Sequence, residues 1–121
     1  MTGKNGNKKY DLEERTEVFA RRVRAFVKKL PGGLGNQEDG RQLVKASGSV
    51  GANYIEANEA LSKKDFTMRI KICRKEAKES RYWLRLVDVG GNEQLEKERQ
   101  ELETEAQELM NIFGAILRKS E

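Results

Sequence analysis

Histidine is missing from this chain of 121 residues, and cysteine, proline and tryptophan occur once each. Without histidine there is no general base that titrates near neutral pH, and the commonest transition-metal ligand is gone. The Glu-x-x-His pairs on which ferritin-like di-iron helical proteins depend are excluded with it. A single cysteine, Cys73, forms no disulfide within the chain, which suits a reducing compartment. Cys73 falls in an apolar row and reads as a packing residue. No apolar run approaches the roughly 18 residues needed to cross a bilayer. The opening MTGKNGNKKYDL has charge but no apolar segment behind it, so no secretory signal is expected there. A cytoplasmic protein with no membrane segment is expected. No alternating strand pattern occurs, and the GSVG at Gly48–Gly51 lacks the spacing and the Lys-Ser/Thr pair of a phosphate loop.

What is present is helical periodicity. Four stretches carry apolar or small residues at alternating steps of four and three, which lines them along one side of a helix. The first is Leu12, Thr16, Phe19, Val23, Phe26, Leu30, and the second Leu43, Ser47, Val50, Tyr54, Ala57, Leu61. The third is Phe66, Ile70, Cys73, Ala77, Ser80, Leu84, Val87, and the fourth Leu95, Arg99, Leu102, Ala106, Leu109, Phe113, Ile116. The boundaries are marked too. Asp11 with Glu14 reads as a capping box, and PGGLG after Leu30 stops the first helix. Asn36 is the cap candidate for a second helix reaching about Ala60. Ser62 caps a third that ends at Gly90, Gly91 and Asn92, after which the fourth begins. The connections are short, so neighbouring helices should run antiparallel, up-down-up-down. Residues 1–10 read as a disordered tail and 11–121 as one domain, large enough to need no metal or disulfide staple.

Two rows lie beside these seams. On the second helix Val44, Gly48, Gly51, Ile55 and Asn58 share a face, and each interior glycine costs about 1 kcal/mol relative to alanine. Close approach by another helix would compensate, either within the chain or from a second subunit. Met110, Gly114 and Leu117 widen the apolar face of the fourth helix, which favours a homo-oligomer. An interface through Val44, Gly48, Gly51, Ile55, Met110 and Leu117 is therefore expected.

The third helix carries Lys71, Arg74, Lys78, Arg81 and Arg85 on one row, with Lys75 close by. Residues 62–88 hold nine basic and four acidic side chains, whereas 89–121 hold four and eight. Two readings follow. Either the row pairs with the acids of the fourth helix (Glu93, Glu96, Glu98, Glu101, Glu103, Glu105, Glu108), within a chain or between chains, or it binds phosphates as a sequence-tolerant nucleic-acid surface. Arg21, Arg22 and Arg24 of the first helix would add to the second. Tyr82 and Trp83 could offer stacking faces, although Trp83 beside Leu84 is more often core.

Carboxylates also recur at helical spacing. Asn53, Glu56 and Glu59 lie three apart on the second helix, and Glu76 and Glu79 on the third. Gathered near Arg74, Arg81 or Arg85 they could hold a divalent metal or do acid–base work. Such spacing is common on charged helices, and a structural network is the expected role.

The segment Ser47–Leu86, SGSVGANYIEANEALSKKDFTMRIKICRKEAKESRYWLRL, closely resembles the bacterial four-helix-bundle proteins first noticed as reading frames inside 23S ribosomal RNA intervening sequences. The shared pattern is Ser49-Val50 with Asn53, Ile55 and Glu56, then Glu76-Ala77 and Glu79-Ser80 leading to Trp83-Leu84. The likeness runs from about Tyr10 to Lys119. Ala57 stands where relatives often have glycine, and Lys75-Glu76-Ala77 where many have a small-residue turn. The resemblance implies a left-handed antiparallel bundle assembled as a ring, in several relatives a pentamer. A related branch, the accessory proteins of diversity-generating retroelements, implies nucleic-acid binding by a basic barrel. It implies no catalytic residues.

The resulting expectation is an all-α, antiparallel, left-handed four-helix bundle that is not an enzyme and takes no cofactor, metal or small-molecule substrate. Its partners would be its own copies and RNA or DNA, held by Lys71, Arg74, Lys75, Lys78, Arg81 and Arg85. The alternative is a protein–protein interaction scaffold with no nucleic-acid ligand.

Overall fold

The computed structural model describes residues 11–120, which form four helices and no strand: α1 (Asp11–Lys28), α2 (Leu34–Asn58), α3 (Lys63–Leu86) and α4 (Glu93–Lys119). The disordered tail expected at 1–10 and the side chain of Asp11, with its capping role, lie outside the described residues. Each helix packs on its sequence neighbours, and α1 also meets α4, so the four close a cycle around one core. Among the described residues, α1 and α3 sit at opposite corners without backbone contact, as do α2 and α4.

The core is built from the seams. Phe19, Val23 and Phe26 of α1, Leu43 and Val50 of α2, Ile70, Cys73, Ala77 and Leu84 of α3, and Leu102, Ala106, Leu109 and Phe113 of α4 are all buried. Tyr54 of α2 reaches across to Phe113 of α4, with ring centroids 6.1 Å apart. The buried polar members are satisfied locally. Thr16 Oγ1 donates to the carbonyl oxygen of Leu12, and Ser80 Oγ to that of Glu76. Arg99, a polar residue in an apolar seam, donates to the carbonyl oxygens of Leu84 and Val87, which the end of α3 leaves without helical partners. Its charge also sits favourably at the C-terminal end of that helix.

One seam residue departs from expectation. Leu61 is 98% exposed, because α2 ends at Asn58 and Leu61 falls in the connection to α3. The seam of α2 closes at Ala57.

The ends of the helices follow the capping chemistry, with one correction. Ser62 Oγ accepts from the Asp65 amide, and Asn92 Oδ1 from the Leu95 amide. Asn36, expected to cap α2, lies inside the helix, which begins at Leu34 with Gly33 at its cap position. Its side chain is used elsewhere. Asn36 Nδ2 donates to the carbonyl oxygens of Pro31 and Asp88, and Oδ1 accepts from the Asp88 amide, tying the α1–α2 connection to the α3–α4 connection. Gly90 completes this junction with φ +66°, where a Cβ would also lie 2.8 Å from Pro31 Cγ.

α1 and α2 approach closely where the glycines are. A Cβ at Gly51 would lie 2.8 Å from Thr16 Oγ1 and 3.2 Å from Thr16 Cβ. At Gly48 it would lie 3.1 Å from Arg24 Nη2, and at Gly40 3.3 Å from Val27 Cγ1. The helical penalty of these glycines is therefore offset inside the chain, by α1.

Candidate nucleic-acid interface

Successive residues turn by about 100° around an α-helix, so Lys71, Arg74, Lys78, Arg81 and Arg85 fall on one shoulder of α3, beside its buried seam. That shoulder faces α4. Arg81 donates to Gln107 of α4, and Lys71 and Arg74 border a groove with Gly114, Leu117 and Arg118 of α4. Lys71, Arg74, Lys75, Lys78 and Arg85 are exposed, and Arg81 is half-buried. Lys75 sits toward the outer side, with Nζ 3.9 Å from Glu76 Oε2.

Four acids of α4 (Glu98, Glu101, Glu105 and Glu108) turn toward α1. Glu103 lies one turn before Gln107, on the flank that meets α3, and Glu96 is held by Arg99. Arg15 of α1 forms a two-pronged pair with Glu105 (2.7 and 2.8 Å) and reaches Glu108 at 2.7 Å. These carboxylates, Glu105 foremost, push the Arg15 pKa up. Arg22 meets Glu101 at 3.1 Å, and Lys29 holds Glu98 at 2.7 Å. Lys29 holds the Glu98 carboxyl below its ordinary range, and Arg99 does the same for Glu96. Among the described residues, no cation of the α3 row lies within 4 Å of an α4 carboxylate. Inside one chain, four of these acids pair with α1 and none with the α3 row among the described residues.

This also corrects the role given to the first helix. α1 stands at the corner diagonal to α3. Arg22 is engaged by Glu101, Arg21 by Glu17 at 2.8 Å, and Arg24 donates to the carbonyl oxygen of Ala20. None of the three extends the α3 row. The aromatic pair divides as well. Tyr82 is exposed, whereas Trp83 is partly buried against the core, the rings meeting edge to face at 5.0 Å.

The carboxylates do not gather around the row. Glu76 lies on the shoulder toward α2, half-buried, its pKa raised by burial and by Glu79, with Lys75 and Lys45 opposing the shift. Asn53 accepts from Arg69 across the α2–α3 contact at 3.0 Å, and Glu56 is exposed. Among the described residues no three acidic or thiol side chains stand close enough to hold a metal ion.

The residues expected at a subunit interface separate in the structure. Gly48 and Gly51 border a groove of about 560 Å3 between α1 and α2, with Ile55 half exposed at its rim. Val44 lies in another α1–α2 groove beside Val27 and Gly40. Met110 packs against the core and Leu117 is 8% exposed, so both already have partners within the chain. Sequence reasoning missed Arg118, which the packing of α4 on α3 brings to Lys71 and Arg74. The only sign of it in the sequence was a basic last turn. It also missed Arg15, whose hold on α4 is visible only once α1 and α4 are side by side.

The arrangement defines an all-α protein of four helices around one core, with a basic shoulder on α3 whose cations form no ion pair with α4 among the described residues. A family model described as the 23S rRNA-intervening sequence protein matches residues 8–115, and the chain belongs to that family. A similar solved structure is a protein of unknown function from the S23 ribosomal protein family of Bacteroides thetaiotaomicron VPI-5482. It shares 26% identity with a TM-score of 0.72, covering 87% of this chain and 96% of that one. Comparison with curated proteins found no match. No helix of the described residues is long and apolar enough to cross a membrane.

Proposed function

We propose that this protein is a non-enzymatic nucleic-acid-binding accessory protein of the cytoplasm, with RNA the favoured ligand, and that α3 carries the binding surface. The observation that carries this reading is the division of charge. Five cations share one shoulder with no carboxylate within 4 Å of them among the described residues, while α1 takes up four of the acids of α4. Exposed ion pairs contribute little to stability, so the fold does not require that row. A run of cations along a helix can track a phosphate backbone, and its affinity comes mainly from counterion release.

The up-down-up-down order is supported by the α1–α4 pairs, in which Arg15, Arg22 and Lys29 meet Glu105, Glu101 and Glu98 in descending order. The left-handed twist and assembly of copies into a ring, pentameric in several relatives, follow from the family resemblance. Half-exposed Ile55 beside the α1–α2 groove supports contact between copies. A ring would repeat the basic shoulder, and several weak patches would then add through avidity.

Filter binding of single-stranded RNA tests the reading. Affinity should fall steeply as salt rises from about 50 to about 200 mM. An affinity indifferent to salt removes the electrostatic premise and leaves the protein–protein scaffold.

A further inference from the structure

We propose that the groove between the first half of α3 and the last turns of α4 is a phosphate cradle. It encloses about 230 Å3 and is lined by Thr67, Lys71 and Arg74 of α3 with Gly114, Leu117 and Arg118 of α4, closed by Ser120. At roughly 30 Å3 per water it has room for about seven waters, enough for a tetrahedral phosphate with part of an attached sugar.

Three cations from two helices converge here. No ion pair within 4 Å engages Lys71, Arg74 or Arg118 among the described residues. Thr67 is half-buried, and its hydroxyl has no hydrogen-bond partner among them, which leaves a donor for an anion. The Ser120 hydroxyl donates to the carbonyl oxygen of Ile116, so Ser120 shapes the rim and does not bind. Arg118 alone would be accounted for by the C-terminal dipole of α4. Lys71 and Arg74 have no such reason to be there. Close by, Lys63 and Lys64 share the first turn of α3 with the single acid Asp65. Positive charge is thus held together against its own repulsion, and an anion relieves it.

Gly114 is the second indication. It is buried in the interior of α4, yet a Cβ there would meet only Arg118 Nη1, at an ordinary 3.6 Å. Packing within the chain does not require the glycine. A methyl group would take up space beside the nitrogen that holds the anion.

The cradle rests on the nucleic-acid reading only for the source of its phosphate. Inorganic phosphate and a single-stranded RNA oligonucleotide, titrated separately into 15N-labelled protein at constant ionic strength, distinguish the sources. Phosphate should produce saturable shifts centred on the amides of Thr67, Arg74 and Gly114, and RNA should move the same signals. Lys71→Gln with Arg118→Gln should weaken phosphate about tenfold or more. Gly114→Ala should weaken it while preserving every charge and raising the melting temperature, so a loss of binding is not a loss of fold. Shifts that do not saturate, or that spread evenly over Arg21, Lys63 and the other exposed cations, overturn the cradle. Phosphate binding without RNA binding leaves the cradle standing and removes the proposed function. RNA binding without shifts in the groove does the reverse.

Discussion

Three glycines inside helices give the same substitution three different outcomes. Replacing an interior glycine by alanine gains about 1 kcal/mol of helix stability when nothing obstructs the new methyl group. At Gly114 the nearest atom is 3.6 Å away, so Gly114→Ala should stabilise the fold by about 0.5–1 kcal/mol. At Gly48 the Cβ meets Arg24 Nη2 at 3.1 Å. That is the far end of a flexible, exposed side chain, which moves at the expense of its bond to Ala20, and a gain of about 0.5 kcal/mol remains. At Gly51 the obstruction is Thr16, whose Oγ1 lies 2.8 Å from the Cβ and is held by the carbonyl oxygens of Leu12 and Glu13. Thr16 is 1% exposed and cannot swing away, so α1 must move. Overpacking of this kind costs about 1–3 kcal/mol, and Gly51→Ala should lose about 1 kcal/mol net. The two extremes differ by about 2 kcal/mol, or roughly 8 °C in melting temperature. Thermal and urea unfolding of the three variants gives the order directly. Adding Thr16→Ala to Gly51→Ala should recover about 0.5–1 kcal/mol beyond additivity. If Gly51→Ala stabilises as much as Gly114→Ala, the close approach of α1 and α2 is wrong.

Other outcomes follow from single side chains. Asn36→Ala removes three hydrogen bonds that join two connections and should cost about 1–2 kcal/mol in urea unfolding, discounted for their exposure. Burial pushes the Cys73 thiol up to about 12, so a thiol reagent at pH 8 should react with it only after denaturation; fast reaction of the native protein contradicts its burial. The Glu76 pKa lies above its unfolded value, so the ionised carboxylate opposes folding at neutral pH and the penalty vanishes below roughly pH 4. Glu76→Gln should therefore raise the melting temperature at pH 7 and not at pH 4; equal effects at both would refute the assigned cause.

Periodicity made the interior legible, because a residue such as Ile70 or Leu109 is buried by the same geometry that places it on a helix face. Leu61 breaks that logic. It keeps the spacing of the α2 seam, but the helix has already ended, and spacing carries no information about where a chain turns. Asn36 shows a similar limit: its type suits a helix cap, yet the partners that claim it lie in another connection, 52 residues away in the case of Asp88. The basic row was readable on α3 alone. Which acids of α4 are already taken was not, since Arg15 and Glu105 are 90 residues apart and only packing shows that α1 holds that glutamate. Arg118 and Gly114 entered the site for the same reason.

The most direct measurement is the salt slope of RNA affinity for three proteins: the native chain, Arg74→Gln with Lys78→Gln and Arg81→Gln, and Arg22→Gln with Lys29→Gln. Each lost phosphate contact should lower the log–log slope by about 0.7 for a single strand, so the α3 variant should lose roughly 2 units per bound copy. The α1 variant, whose cations are already held by glutamates, should keep the native slope. Equal slopes for all three, or the larger loss in the α1 variant, would contradict a binding surface on α3.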